Sequence, residues 1–120
     1  MKRLMTTLLL ALASAPAMAE TYVPVLDKDT FVSIVQGKEL KHGFYPISLN
    51  VLQDGQIKGS AVGWDITGSW TWQDGYFCRD LMWGGDPLGY NCQLVEVQGD
   101  SKMRFTVDRG AGDSAAFRLR

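Results

Sequence analysis

The chain has 120 residues, 46% of them hydrophobic, with 12 basic and 13 acidic side chains and a formal net charge of −1. This length suits a single domain with a modest core. The sequence contains no basic run, which argues against nucleic acid or an anionic membrane as the partner.

The first nineteen residues have the order of a secretory signal peptide. Residues 1–3 are a cationic head, residues 4–13 are mainly apolar, and residues 17–19 read Ala-Met-Ala, a small-x-small cleavage site. The apolar part is too short to cross a bilayer of about 30 Å, so no integral membrane segment is predicted. We expect a periplasmic or secreted protein whose single β-rich domain covers residues 20–120.

Cys78 and Cys92 are the two cysteines of the chain. In an oxidising compartment such a pair usually forms a structural disulfide. The chain has no C-x-x-C motif, and His42 is its single histidine, so neither a metal nor a cofactor is predicted. If strands 76–83 and 90–97 pair with Cys78 opposite Cys92, then Asp80 faces Tyr90 and Met82 faces Leu88.

A short helix is predicted near the start of this domain. Asp27 or Asp29 can cap it, and Phe31, Ile34 and Val35 recur at helical spacing. Gly37 then suits a left-handed C-terminal cap. A helix of about two and a half turns is not stable alone, so it must pack on the rest of the domain.

Beyond residue 38 the sequence changes to alternation and turns. Asp54-Gly55 and Asp74-Gly75 predict tight hairpins, Thr67-Gly68 predicts another turn, and residues 84–89 predict a glycine-rich loop. Strands are predicted around residues 47–52, 57–66 with a bulge or bend at 60–63, 70–73, 76–83, 90–97, 103–107 and 116–119.

These turn signals predict a mainly β fold. Seven or eight short strands read as an antiparallel meander, and curling it into a barrel or half-barrel removes the open edges of a flat sheet. The N-terminal helix would cap one end. A strongly twisted open sheet with the helix on one face is the alternative.

The segment from Gly63 to Cys92 is the richest in aromatic residues. Trp64, Trp70 and Trp72 are predicted to lie in the core, because strand aromatics usually bury large areas. Trp83 and Tyr90 flank the glycine-rich loop and are predicted to line either the rim of the core or a ligand.

Arg79 and Asp80 are adjacent on one predicted strand and therefore point to opposite faces. One of them would be a polar anchor in an apolar cavity, or the two would form a surface or buried ion pair. The candidate ligand-binding residues are Trp83, Asp86, Tyr90, Arg79 and Asp80, and no catalytic residue is assigned. The segment from Asp108 to Ser114 is expected to be a turn rather than a calcium site.

Parts of the chain resemble a bacterial family of small secreted proteins of unknown function. The residues concerned are the G-K-x-L step at Gly37–Leu40, the G-x-W at Gly68–Trp70 and the stretch between the two cysteines. That stretch is similar to a subgroup often labelled dihydrodipicolinate reductase. Such a reductase requires a dinucleotide fold with G-x-G-x-x-G, and the single G-x-G here, at residues 110–112, has no third glycine at that spacing.

Three functions therefore follow from the sequence. The first is a non-catalytic periplasmic binding or interaction module whose ligand, a small molecule or a periplasmic protein, the sequence does not identify. The second is a periplasmic inhibitor or envelope-stress protein that docks on another protein. The third is an enzyme acting through Asp65, Asp80 or Asp86, which requires at least two of these carboxylates to meet in one pocket.

Overall fold

The computed structural model of the chain describes residues 21–120, so the predicted signal peptide lies outside the described residues. Within this range the backbone forms nine strands, one α-helix and one short 3₁₀ helix. In chain order these elements are β1 (Val23–Val25), α1 (Lys28–Val35), β2 (Leu40–His42), β3 (Ile47–Val51), β4 (Gln56–Ala61), β5 (Trp64–Gln73), β6 (Tyr76–Trp83), β7 (Asp86–Gln98), β8 (Lys102–Thr106), the 3₁₀ helix (Asp108–Gly110) and β9 (Ser114–Leu119).

Strands β2 to β9 form a closed antiparallel barrel. Each strand pairs with the next in sequence, and β2 pairs with β9 to close the cylinder, with Leu40 opposite Leu119 and His42 opposite Phe117. β1 is an extra strand on β7, where Val25 lies opposite Val95. The predicted mainly β barrel with one short N-terminal helix is confirmed, and no strand had been predicted for β1 or β2.

The meander places alternate connections at opposite ends of the barrel. The β3–β4, β5–β6 and β7–β8 turns lie at the end that carries α1, which we call the closed end. The other four connections lie at what we call the open end. They are the β2–β3 loop (residues 43–46), the β4–β5 turn (62–63), the β6–β7 turn (84–85) and the β8–β9 connection (107–113).

Helix α1 begins as its sequence predicts. Asp27 is the N-cap, and its carboxylate accepts a hydrogen bond of 2.9 Å from the backbone N–H of Thr30. After the helix ends, Gly37 adopts a φ of +70°, the predicted left-handed conformation. The helix therefore carries its own start and stop signals, and it gains the rest of its stability by packing on the barrel.

Phe31 inserts from α1 into the closed end and is fully buried. Its ring lies 5.0 Å from the ring of Trp72, 5.3 Å from that of Trp70 and 5.2 Å from that of Phe77. From Phe77 the aromatic contacts continue through the barrel to Phe105, at 5.2 Å. One helix side chain thus fills the closed end and joins both barrel halves.

Three sequence predictions are wrong in detail. Thr67-Gly68 is not a turn but lies inside β5, where a Cβ on Gly68 would stand 2.2 Å from the Asp80 carbonyl oxygen, so the glycine permits close strand approach. Val62-Gly63 forms a two-residue hairpin with positive φ at both positions, instead of a bulge. The predicted loop at 84–89 is a two-residue turn, because β7 already begins at Asp86.

The predicted disulfide is present and lies on the outer face of the barrel. Cys78 and Cys92 face each other directly on β6 and β7, with 3.9 Å between their Cα atoms. Asp80 lies opposite Tyr90, as predicted. Met82 faces Pro87 rather than Leu88, because the register shifts between Leu81 and Met82.

Substituting Phe31 by Ala should destabilise the protein by about 3–5 kcal/mol, because the change empties the closed end of the barrel. Chemical denaturation of the oxidised protein measures this loss. Ser33→Ala, on the exposed side of the same helix, is the matched control and should change the free energy of unfolding little. A loss below about 1 kcal/mol for Phe31→Ala would show that the helix does not hold the barrel together.

Reduction of Cys78–Cys92 should lower the free energy of unfolding by about 3 kcal/mol, since the bond closes a loop in the unfolded chain. Urea unfolding with and without dithiothreitol measures the difference. Intact mass spectrometry verifies the state, because reduction adds two hydrogens. An unchanged urea midpoint in fully reduced protein would contradict the expectation.

The cap at Asp27 should make helix stability depend on pH. Hydrogen bonds from the backbone and side chain of Thr30 lower the pKa of Asp27 below 3.8, the ordinary value of an aspartate side chain. A depressed folded pKa contributes stability above the unfolded value, and this contribution is lost as pH falls through the folded pKa. Asp27→Ala should therefore be less stable than the parent protein at pH 7, and the gap should shrink on acidification below pH 3.8 in urea unfolding. A gap that stays constant would refute this linkage.

Candidate functional site

The barrel interior encloses a mainly apolar cavity of about 290 Å³. The side chains that line its depth come from nearly every strand and are aliphatic or aromatic. They are Leu40, Leu49, Val51, Ile57, Phe77, Phe105 and Phe117.

The cavity adjoins the residues that fill the closed end, since Phe77 both contacts Phe31 and lines the cavity. Phe31 and Trp70 occupy the interior there, whereas Ala115 and Ser114 are small residues on the wall nearer the open end. Asp113 and Ser114 also line the cavity and belong to the exposed β8–β9 side of the open end. The cavity is therefore reached from the end opposite α1.

Besides Asp113 and Ser114, two polar side chains on neighbouring strands line this cavity. Arg79 on β6 is half-buried, and its Nη1 donates a hydrogen bond of 2.7 Å to the Gly89 carbonyl oxygen. Burial lowers the pKa of Arg79, an effect that the neighbouring Asp80 carboxylate partly opposes. A guanidinium stays protonated at physiological pH even so, which leaves a cation in the wall of an apolar space.

Gln93 on β7 is the second polar residue and is only 8% exposed. It lies opposite Phe77 in the β6–β7 register and lines the same cavity. Among residues 21–120 its amide makes no side-chain hydrogen bond with another residue, and no fully enclosed polar atom lacks a partner. Its amide hydrogen-bonding capacity is therefore directed to the cavity.

The disulfide holds the strand pair that carries these groups. Cys78 precedes Arg79 and Cys92 precedes Gln93, so the outer-face bond lies directly behind the polar part of the inner wall. Cys78 is 1% exposed, and the Tyr90 hydroxyl oxygen lies 3.4 Å from the Cys92 sulfur. The bond thus fixes the spacing of Arg79 and Gln93 as well as the register.

Two hydrogen bonds between Asn91 and Asp108 hold the β8–β9 connection beside the cavity. The side-chain amide of Asn91 donates to the Asp108 carboxylate at 2.8 Å, and its carbonyl oxygen accepts from the Asp108 backbone N–H at 3.0 Å. Asp108 and Arg109 both have a φ of +55°, a conformation that non-glycine residues adopt only when their surroundings hold them. The segment is a turn, as predicted, and it is tied to β7 by Asn91.

The structure separates the five predicted ligand-binding residues. Arg79 faces the cavity, whereas Asp80 and Tyr90 are exposed on the outer face, where they lie opposite each other. Tyr90 also accepts a hydrogen bond of 3.2 Å from Gln73. Trp83 and Asp86 lie at the rim of the open end, outside the main cavity.

Trp83 and Asp86 form a cleft at the rim together with Trp64 and Gly84. Trp83 and Asp86 are cross-strand partners beside the β6–β7 turn, and Trp64 begins β5 next to the β4–β5 turn. Trp64 is 62% exposed, so the prediction that it lies in the core is wrong, while Trp70 is buried and Trp72 half-buried as core residues. A position at a strand end explains Trp64, because the barrel interior does not extend so far.

Exposed apolar residues concentrate at the open end. They come from the β2–β3 loop and from the two hairpins at 62–63 and 84–85 together with their flanking residues. This set, which we call the crown, comprises Phe44, Tyr45, Val62, Trp64, Met82, Trp83 and Leu88.

The three aspartates considered for catalysis do not share a pocket. Asp65 and Asp80 lie on the outer face, whereas Asp86 faces the rim cleft. Within residues 21–120, no group of three or more His, Cys, Asp or Glu residues is placed to hold a metal ion. No helix in the same range is long and apolar enough to cross a membrane.

An apolar cavity with Arg79 or Asp80 as polar anchor was one of the sequence predictions, whereas Gln93 was not predicted to line it. The alternation Phe77, Arg79, Leu81 was the available signal, because it puts the arginine on the apolar face of β6. For Gln93 the corresponding signal was its place between Asn91 and Val95 on the inward parity of β7. Neither pattern shows whether the interior is filled.

Comparison with known proteins adds no relative. No protein family matches the chain, and neither a curated protein nor a solved structure is significantly similar to it.

Replacing Arg79 by Met should leave the free energy of unfolding unchanged or raise it by about 1 kcal/mol, because an apolar side chain suits this wall better than a partly desolvated charge. Urea unfolding at pH 7 measures the effect, with Asp80→Asn on the outer face as control. A loss above about 2 kcal/mol would assign Arg79 a structural role through its bond to Gly89.

Proposed function

We propose that the protein is a non-catalytic binding module that holds a small amphiphilic molecule inside the barrel, with the apolar part in the cavity and a hydrogen-bond-accepting or anionic head at Arg79. The single observation that carries this proposal is a half-buried arginine in the wall of a mainly apolar, accessible cavity.

The composition of the cavity supports this choice. Small-molecule sites are mostly apolar, with a few placed polar groups, and run from about 300 Å³ upward, so this cavity suits a ligand at the small end of the range. A charge-assisted hydrogen bond to a carboxylate would be stronger than one to a neutral oxygen. Gln93 adds an amide that can donate to or accept from the same head group.

The cellular setting remains part of the proposal. The signal-peptide pattern of residues 1–19, the disulfide and the resemblance to small secreted bacterial proteins all support a periplasmic or secreted location. The reductase label of the related subgroup finds no support in the geometry, since the described residues form a barrel and not a βαβ dinucleotide fold.

Docking on another protein, as an inhibitor or envelope-stress protein would do, is the second candidate. The crown favours it, because aromatic residues concentrated on one surface are typical of interaction sites. Cross-linking in a periplasmic extract, with Phe44→Ser and Trp64→Ser variants as controls, tests this function. Products that persist in both variants would remove the crown as the docking surface.

A neutral fluorescent probe and two competitors test the binding proposal. N-phenyl-1-naphthylamine should brighten on entering the cavity, and octanoate should displace it at least about tenfold more effectively than octanol, because only the carboxylate gains a charge-assisted bond to Arg79. Ala115→Phe, which narrows the cavity, should weaken probe binding.

Arg79→Met and Asp80→Asn separate the head-group contact from general apolar binding. Arg79→Met should keep probe binding and lose the preference for octanoate, whereas Asp80→Asn should leave that preference in place. Equal displacement by acid and alcohol in the parent protein would remove Arg79 as anchor, and no probe binding would remove the cavity as a site.

A further inference from the structure

The rim cleft is built from two indoles and a carboxylate, and it is separate from the cavity inside the barrel. Trp64, Trp83, Gly84 and Asp86 line a space of about 320 Å³ at the open end. None of these four residues lines the cavity inside the barrel.

Both indoles are held in place rather than free on the surface. The Trp83 Nε1–H donates a hydrogen bond of 2.8 Å to the Ala61 carbonyl oxygen, which fixes the plane of that ring. The Trp64 ring lies against Gly84, where a Cβ would stand only 2.9 Å from Trp64 Cε3. Gly84 therefore allows a ring contact that a residue with a side chain would block.

Asp86 supplies a negative charge to the rim cleft. It lies directly opposite Trp83 in the β6–β7 register and is exposed at the cleft. Within the described part of the chain, residues 21–120, its carboxylate forms no salt bridge. The cleft consequently combines two indole side chains with a carboxylate that has no salt-bridge partner among residues 21–120.

We propose that this cleft binds a small organic cation of the quaternary-ammonium type. The negative face of an indole attracts a cation, and tryptophan is the aromatic side chain with the strongest such attraction. A quaternary ammonium has weakly hydrated methyl groups that suit indole faces, and its charge complements the carboxylate of Asp86. A neutral molecule of the same shape would gain the apolar contact alone.

The hydrogen-bond donors of the ligand decide between a quaternary and a primary ammonium. A primary ammonium seeks three hydrogen-bond acceptors, and the lining of the cleft offers one carboxylate, whereas a quaternary ammonium needs none. The expected order of affinity is therefore tetramethylammonium above methylammonium.

Nuclear magnetic resonance of the indole N–H groups provides the test. The chain has four tryptophans, so ¹⁵N-labelled protein should show four indole signals, each assigned by a Trp→Phe variant. Titration with tetramethylammonium chloride should shift the signals of Trp64 and Trp83 saturably. The signals of Trp70 and Trp72, at the closed end, serve as internal controls and should not move, with sodium chloride matching the ionic strength.

Choline and its neutral isostere 3,3-dimethyl-1-butanol separate charge recognition from apolar contact. Choline should bind at least about tenfold more tightly than the alcohol, and Asp86→Asn should reduce this difference to less than about threefold. Asp65→Asn removes a carboxylate next to Trp64 on the outer face and should leave choline binding unchanged. Trp64→Ala should abolish the saturable shift of the Trp83 signal while the Trp70 and Trp72 signals confirm that the barrel is folded.

The inference is overturned by equal binding of choline and the alcohol, by an Asp86→Asn variant that keeps the full preference for choline, or by linear, non-saturating shifts in all four indole signals. These outcomes are independent of the cavity, because the cations have no apolar chain long enough to fill it. The preference for octanoate can therefore be absent while choline still binds, and choline binding can be absent while octanoate is still preferred.

Discussion

The insertion of Phe31 into one end of the barrel is the contact on which the rest of the structure depends. An eight-stranded cylinder has an interior that its own inward side chains must fill, and here they fill only part of it. The aromatic contacts of Phe31 with Trp70, Trp72 and Phe77 close one end, and a cavity remains inside the barrel. Phe77 belongs to both, because it contacts Phe31 and also lines the cavity.

A covalent and a polar constraint hold the β6–β7 wall of the cavity. The disulfide crosses β6 and β7 beside Arg79 and Gln93, and Cys78 directly follows Phe77 of the aromatic cluster. The bidentate contact of Asn91 with Asp108 ties the β8–β9 connection to β7. One constraint therefore adjoins the closed end, and the other lies at the open end.

Much of the fold could be predicted from the sequence, since local signals were sufficient for it. Asp74-Gly75 specifies its hairpin by backbone preference, and the alternation on β6 places Cys78 and Arg79 on opposite faces. The geometry of the site depends on how closely strands approach each other and on where a residue lies along the barrel, and the local sequence specifies neither. Thr67-Gly68 looks like a turn locally, yet the close approach of the Asp80 carbonyl decides its conformation. Trp64 has the alternation of a core residue, but its place at the strand end puts it outside the core.

The two proposed sites differ in charge for a structural reason. Arg79 lies on the inward parity of β6 below the rim, where the apolar wall keeps bulk water away and strengthens its field on an anionic head. Asp86 is the first residue of β7, three residues after Trp83 at the end of β6, where solvent screens its charge and the adjacent indoles favour a cation. Binding at Arg79 should therefore depend weakly on ionic strength and binding at Asp86 strongly. A molecule carrying both an anion and a quaternary ammonium would meet complementary charges at both places, and the register of β6 and β7 sets how far apart those charges must be.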